Sequence, residues 1–218
     1  MFWTDRIRAG GNANAKPRSP APDFRQLLGD AAWARLAEPV RARFAAGSGY
    51  GQFSGEADLH ANGLGRALAH LLVLFGRPLP TQVGHLESQV HIRTTPVGAV
   101  WDRAYRKREG EGRADWEHVR SVKRTHEDAL YECAGPIWMR LRLEEREGVL
   151  AFISDGFFLA LGRFLWRLPD LLTPGRLEVL HIDRGHGRFE FTLTSDHPIF
   201  GRLFSQSVRL CDPDMKGA

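Results

Sequence analysis

The chain has 218 residues, a formal net charge of +4 at pH 7 and 43% hydrophobic residues, a length and composition that suit one domain with a sizeable core, with or without a tail. Most of the positive charge is arginine mixed with acidic residues along the chain. Because nucleic-acid-binding proteins usually gather their charge on one face or helix, the composition argues against a nucleic-acid partner.

The chain is predicted to form a single domain over residues 23–212. Residues 1–22 are rich in Gly, Asn, Pro and Ala and predict a flexible tail, and residues 213–218 predict a short C-terminal tail. The start lacks the apolar core of a signal peptide, and no apolar run reaches the ~20 residues that span a bilayer. Cys133 and Cys211 have no metal or disulfide spacing, so we expect reduced thiols, no bound metal and a cytoplasmic location.

Two helical regions come first in the chain. Asp23 can cap a helix, with Gln26 completing a capping box, and Pro39 is typical of the first residue of another helix. The stretch "NGLGRALAHLLVLFG" begins with Asn62 as N-cap and carries leucines at helical spacing. Gly76 can end this Leu-rich helix, whose apolar stripe is expected to pack on a sheet.

From about residue 88 the apolar period changes to two, which is typical of strands. A tight turn at Pro96 sets Ile92 opposite Trp101 and Val90 opposite Arg103. These four side chains then share one face of a hairpin.

Two later hairpins are predicted in the same way. The first has a three-residue loop that ends at Gly148 and sets Leu143 opposite Ala151. The second turns at the dipeptide "GH" before "GRFEF" and sets His181 opposite Glu190.

The predicted fold class is α+β. We expect a curved, mostly antiparallel sheet of seven to nine strands, with an N-terminal helical region and the Leu-rich helix packed on its concave face. Helices and strands do not alternate in the βαβ manner.

The sequence lacks the GxGxxG, GxxxxGK[ST], HExxH, CxxC and GxSxG motifs. Phosphate loops, zincin chemistry and esterase chemistry therefore have no direct support. No cofactor and no catalytic residue is assigned.

Trp101, Arg103 and Glu132 are the first candidate binding residues. Trp101 and Arg103 lie two apart on a predicted strand, so both project from one face and could bind an anion against an aromatic wall. Alternatively, the Arg103 stem packs on Trp101 and its guanidinium holds a carboxylate such as Glu132. Glu132, in "LYECAG", could be a buried general base with a raised pKa, or could face water.

His197 is the fourth candidate. It precedes Pro198 in "SDHPIFG", where it could bind or carry protons. The neighbouring Asp196, Pro198 and Gly201 are all explained by turning the chain between two strands, so the corner is interpreted as structural first.

The order of several segments resembles the bacterial family catalogued as domain of unknown function 4166. The segments are "GLGRALAHLLVLFGRPLP", "WDR", "ECAGP", "GRFLWRLPDLLTP", and "GRFEF" leading into "HPIFGRLF". The resemblance covers roughly residues 24–211. It carries over no established activity. It implies that such domains occur alone or C-terminal to a region similar to saccharopine-dehydrogenase-type dinucleotide-binding domains, whereas the ending "FSQSVRL" departs from the aromatic-rich ending of the family.

Three functions are kept open. The first is binding of a hydrophobic or lipid-like small molecule between sheet and helix, with Trp101, Arg103, Glu132 and His197 as ligand-binding residues. The second is the substrate-binding or catalytic half of a reductase-type system with a separate Rossmann-type dehydrogenase partner, in which Arg103, Glu132 and His197 converge. The third is a protein-interaction module, which needs a large exposed apolar patch.

Overall fold

Two helices begin after the capping residues that the sequence predicts, Asp23 and Asn62, whereas the helix predicted to start at Pro39 begins one residue earlier, at Glu38. The computed structural model describes residues 21–45, 51–107 and 115–212; apart from residues 21 and 22, the two predicted tails lie outside them. Asp23 Oδ1 accepts a hydrogen bond from the Gln26 amide at 3.0 Å, and Asn62 Oδ1 accepts one from the Gly65 amide at 2.8 Å. The helices are α1 Phe24–Leu28, α2 Asp30–Arg35, α3 Glu38–Phe44 and α4 Gly63–Leu72.

Eleven antiparallel strands occur in the described residues and form one sheet. They are β1 Gly51–Ala61, β2 Gly84–Thr95, β3 Gly98–Lys107, β4 Glu117–His126, β5 Ala129–Ala134, β6 Ile137–Arg146, β7 Val149–Leu161, β8 Phe164–Arg167, β9 Arg176–Gly185, β10 Arg188–His197 and β11 Gly201–Cys211.

The sheet closes on itself, so the predicted open, curved α+β sheet of seven to nine strands is wrong. Ten strands run in the order β6-β5-β4-β3-β2-β1-β11-β10-β9-β7, and β7 pairs back onto β6 to close an antiparallel barrel. The eleventh strand, β8, pairs with the end of β7. The β6–β7 pairing gives β6 a second hydrogen-bonding partner, whereas an open sheet with the same strand order would leave β6 as an edge.

Strand β1 was not predicted, although it lies in the middle of the sheet order. Its sequence, "GQFSGEADLHA", contains glycines and charged residues that are depleted in strands. It pairs with β11 on one side and β2 on the other. Its inward residues Ala57 and Leu59 are nevertheless fully buried.

Helices α1 to α3 cover one end of the barrel. The Ala37 amide, before α3, donates to the Gly148 carbonyl in the β6–β7 turn at 3.0 Å. The Phe44 ring lies 5.7 Å from Phe152 and 5.0 Å from His181. The N-terminal helical region therefore packs on the core at this end of the barrel.

The Leu-rich helix α4 lies at the opposite end, not on the face of an open sheet. It follows the end of β1, and the Asn62 amide donates to the Leu203 carbonyl of β11 at 3.1 Å. Leu68 and Leu72 point into the barrel, whereas Leu64 and Leu71 are exposed. The predicted apolar stripe is thus only partly covered. No helix in the described part of the chain has the length and apolar character needed to cross a membrane.

The β2–β3 register is confirmed, since Ile92 pairs with Trp101 and Val90 with Arg103. The other two hairpins differ from prediction by one residue. The first has a two-residue turn of Glu147 and Gly148, both with positive φ, so its predicted pairing is wrong.

The second hairpin turns at His186 and Gly187, not at Gly185 and His186. His181 is consequently opposite Phe191 rather than Glu190. This shift of one residue puts His181 on the same face as Phe189 and Phe191, inside the core.

Candidate functional site

A cavity of about 170 Å³ lies inside the barrel. Its wall comes from the inward faces of the strands, and α4 with residues 168–174 contributes the part nearest the outside. Most of the lining is apolar, with Trp101, Phe152 and Phe191 among the aromatic groups. Such a cavity, mainly apolar with a few polar groups, is the usual form of a small-molecule site.

The charged groups of the wall lie on β3, β4 and β5. Among the described residues, the charged side chains that line the cavity are Arg103, Lys123 and Glu132. Lys123 is opposite Glu132 in the β4–β5 register. Their side chains are 17%, 8% and 13% exposed, in that order, so the cluster is largely removed from water.

Ser121 connects the charged groups. Its hydroxyl donates to Glu132 Oε1 at 2.6 Å and accepts from Arg103 Nη2 at 3.0 Å. Lys123 Nζ donates to Glu132 Oε2 at 3.0 Å. The distance from Arg103 Nη2 to Glu132 Oε1 is 3.7 Å, so Arg103 reaches the carboxylate mainly through the serine.

The environment of Glu132 keeps it ionised. Burial acts to raise the pKa of the carboxyl, but the Lys123 and Arg103 charges and the hydrogen bond from Ser121 outweigh it and lower the pKa to about 2. The alternative of a general base with a raised pKa is therefore wrong. A carboxylate with so low a pKa is a weak base at neutral pH.

Trp101 contacts a different cation from the one predicted. Lys123 Nζ lies 4.3 Å from the centroid of the Trp101 ring, a cation–π distance. Arg103 projects from the same strand face, as predicted, and contacts Ser121. Sequence reasoning missed Ser121 and Lys123, because only the pairing of β4 with β5 shows that these polar residues face inward beside Glu132.

His197 is not among the described residues that line the cavity. Its Nδ1 accepts from the Ile199 amide at 3.1 Å and the Phe200 amide at 3.3 Å. Its Nε2 lies 3.4 Å from the Leu171 carbonyl, to which it can donate. The residue is 4% exposed, and both ring nitrogens form contacts that fix the corner between β10 and β11. The structure thus brings Trp101, Arg103 and Glu132 together and places His197 apart from them.

Exposed apolar side chains surround the α4 end of the barrel. They come from α4 and the 3₁₀ helix Val73–Phe75 that follows it, the β7–β8 hairpin, the segment before β9 and the β10–β11 turn. These side chains are Leu64, Leu71, Leu74, Phe75, Leu161, Phe164, Trp166, Leu171, Leu172, Ile199 and Phe200. We call this set the apolar rim. Leu172 is 74% exposed and also lines the cavity, so the rim is continuous with the cavity wall.

The family model described as Domain of unknown function (DUF4166) matches residues 36–210. The chain belongs to this family. The resemblance inferred from the order of sequence segments is therefore confirmed. None of the curated proteins compared with the chain matches it.

The matched part of this DUF4166 chain contains every residue of the cavity wall, from Leu68 to Val208. Within the described residues, no group of three or more His, Cys, Asp and Glu side chains could hold a metal ion. Cys133 and Cys211 are free. Burial raises the pKa of the Cys133 thiol to about 12, so it is an unreactive group in the outer wall.

Proposed function

We propose that this DUF4166 domain binds a small, largely apolar molecule inside the barrel. The observation that carries the proposal is the cavity of about 170 Å³ with an apolar wall and one polar cluster. A dry apolar cavity of about 150 Å³ can accept benzene, so this volume admits a ring-sized or short-chain apolar group. Trp101, Arg103 and Glu132 are the proposed contacts for the polar end of the ligand.

The position of the cavity supports entry from the α4 end. Helices α1 to α3 cover the opposite end, with Phe44 packed against Phe152. At the α4 end the wall consists of Leu68, Leu72 and the segment 168–174. A ligand entering there meets apolar side chains first and the charged cluster inside.

The test is direct binding of indole, a neutral aromatic probe of suitable size, measured by isothermal titration calorimetry. Val179 lines the cavity, and Val179→Phe is expected to fill it and abolish indole binding. Val97→Phe is the matched control, because Val97 is 40% exposed in the β2–β3 turn at the other end. Equal probe binding by folded Val179→Phe would overturn the proposal. Native mass spectrometry of the purified protein would identify a ligand that is already bound.

The reductase-type alternative is not supported by the geometry, since Arg103 and Glu132 line the cavity and His197 is held in a separate turn. The protein-interaction alternative has one favourable observation, the apolar rim. Val179→Phe separates the two remaining functions. It leaves the rim intact, so a complex that persists in a pull-down with this variant favours protein interaction.

A further inference from the structure

The charges on the cavity wall do not balance. Two cations, Arg103 and Lys123, face one carboxylate, Glu132, and the rest of the described wall is apolar or neutral. A buried charge without a counter-charge costs free energy, which is why such charges are normally paired. The wall therefore has an excess of one positive charge inside a mainly apolar barrel.

The geometry shows which cation is held less closely by the carboxylate, since Arg103 Nη2 lies 3.7 Å from Glu132 and Lys123 Nζ lies 3.0 Å from it. Glu132 places one oxygen on Lys123 at 3.0 Å and the other on Ser121 at 2.6 Å. The single hydroxyl proton of Ser121 is donated to Glu132. Arg103 therefore donates to a neutral hydroxyl oxygen rather than to a charged acceptor. The Arg103 Nε is buried without a hydrogen-bond partner among the described residues. The guanidinium is thus incompletely satisfied.

We propose that the ligand of this cavity is an apolar monoanion whose carboxylate pairs with Arg103 beside Lys123. This inference rests on the binding function proposed above. A guanidinium presents five donors in a planar fork that matches a carboxylate, and a single negative charge neutralises the excess on the wall. The apolar lining then receives the chain or ring of the same molecule.

The lowered pKa of Lys123 agrees with an excess of positive charge on the cavity wall. Burial lowers the pKa of its ammonium, and the Arg103 charge acts in the same direction, although Glu132 opposes both. An anion in addition to Glu132, bound near Arg103 and Lys123, would offset the electrostatic repulsion between these two cations. The cation–π contact with Trp101 at 4.3 Å keeps Lys123 directed to the cavity side of the wall.

The experiment compares three probes that share an eight-carbon alkyl chain and differ in charge: octanoate, octanol and octylammonium. Binding is measured by isothermal titration calorimetry on the full-length protein at pH 7. A charge-assisted pair with Arg103 is expected to make octanoate bind at least about tenfold more tightly than octanol. Octylammonium is expected to bind more weakly than octanol. Hydrocinnamate, tested beside octanoate, shows whether a ring or a chain suits the cavity.

Arg103→Gln is the decisive variant, because glutamine keeps a polar side chain at this position but has no charge. It is expected to remove the preference for octanoate over octanol. Arg140→Gln is the matched control, since Arg140 pairs with Asp155 at 2.6 Å and is not among the described wall residues. Its octanoate preference should remain.

The outcomes separate the two proposals. If octanol binds as tightly as octanoate, or octylammonium binds best, the binding function stands and the anionic ligand is wrong. If none of the three probes binds, the binding function itself fails and this inference fails with it. Should Arg103→Gln not fold, the comparison of the three probes on the unmodified protein decides the question alone.

Discussion

Lys123 Nζ lies 3.0 Å from Glu132 Oε2, and the two residues are direct partners across β4 and β5 inside the barrel. An ion pair in such a position contrasts with the surface pairs of this protein, such as Arg25 with Asp30, whose side chains are 63% and 80% exposed. Surface pairs contribute little to stability. Removing one partner of a buried pair is costly, because the other charge stays in the interior.

Glu132→Gln is expected to lower the free energy of unfolding by about 3 kcal/mol at pH 7, since it leaves Lys123 and Arg103 without a carboxylate. Urea unfolding followed by circular dichroism measures the change. Glu127→Gln, at a side chain that is 85% exposed, is the control and should change stability by less than about 0.5 kcal/mol. Equal stability of the two variants would contradict the importance of the buried cluster.

The same carboxylate predicts a loss of stability in acid. The pKa of Glu132 is about 2 in the folded protein, against an ordinary value of 4.5. Its stabilising contribution is complete above pH 4.5 and is lost as the pH falls towards 2, an effect of roughly 3 kcal/mol. Urea unfolding between pH 2 and pH 6 should give a shallower pH dependence for Glu132→Gln. Identical slopes for both proteins would show that another group is responsible.

The two buried histidines are expected to respond oppositely to the same substitution. His181 is fully buried against Phe44, Phe189 and Phe191, and neither of its ring nitrogens has a partner among the described residues. His181→Leu should raise the free energy of unfolding by about 1 kcal/mol, because it removes unsatisfied polar groups. His197→Leu should lower it by about 1–2 kcal/mol, because the Ile199 and Phe200 amides lose their acceptor.

His181 also makes a prediction for pH. Burial, with a smaller effect of the Arg43 charge, lowers its pKa to about 3 from an ordinary value of 6.5. The unfolded chain therefore binds an extra proton between these values, and stability falls as the pH decreases from 6.5 towards 3. In His181→Leu this part of the acid sensitivity should disappear from thermal melts recorded between pH 4 and pH 7. If the variant loses as much stability as the natural protein between pH 7 and pH 4, His181 is not the source of this acid sensitivity.

Two glycines of α4 provide a matched test of how this helix packs. A Cβ at Gly65 would lie 2.1 Å from the Leu203 carbonyl oxygen, whereas a Cβ at Gly63 would meet nothing within 4 Å. Gly65→Ala is expected to destabilise the protein by about 1–3 kcal/mol because helix and β11 must separate. Gly63→Ala should be neutral or stabilising by up to about 1 kcal/mol, since alanine favours a helix. Thermal unfolding of both variants decides, and a similar effect of the two would contradict the close contact.

Much of the local structure followed from residue chemistry. Asp23 and Asn62 cap their helices because short polar side chains accept hydrogen bonds from the first-turn amides. The β2–β3 register was predictable because alternation and a single tight turn agree. The hairpin after β9 was not, since glycines on both sides of His186 allow two placements of the turn. The observed placement directs His181 inward.

Sequence periodicity together with the turn residues predicted antiparallel strands after residue 88, and residue type within those segments selected Trp101, Arg103, Glu132 and His197 as candidates. Tertiary structure decided that the sheet closes, because β7 pairs with both β6 and β9, and an alternating strand has the same pattern in an open sheet and in a barrel. It also placed Lys123 and Ser121 beside Glu132. Such proximity depends on pairing between strands, and the polarity of a single strand does not show which of its faces is enclosed.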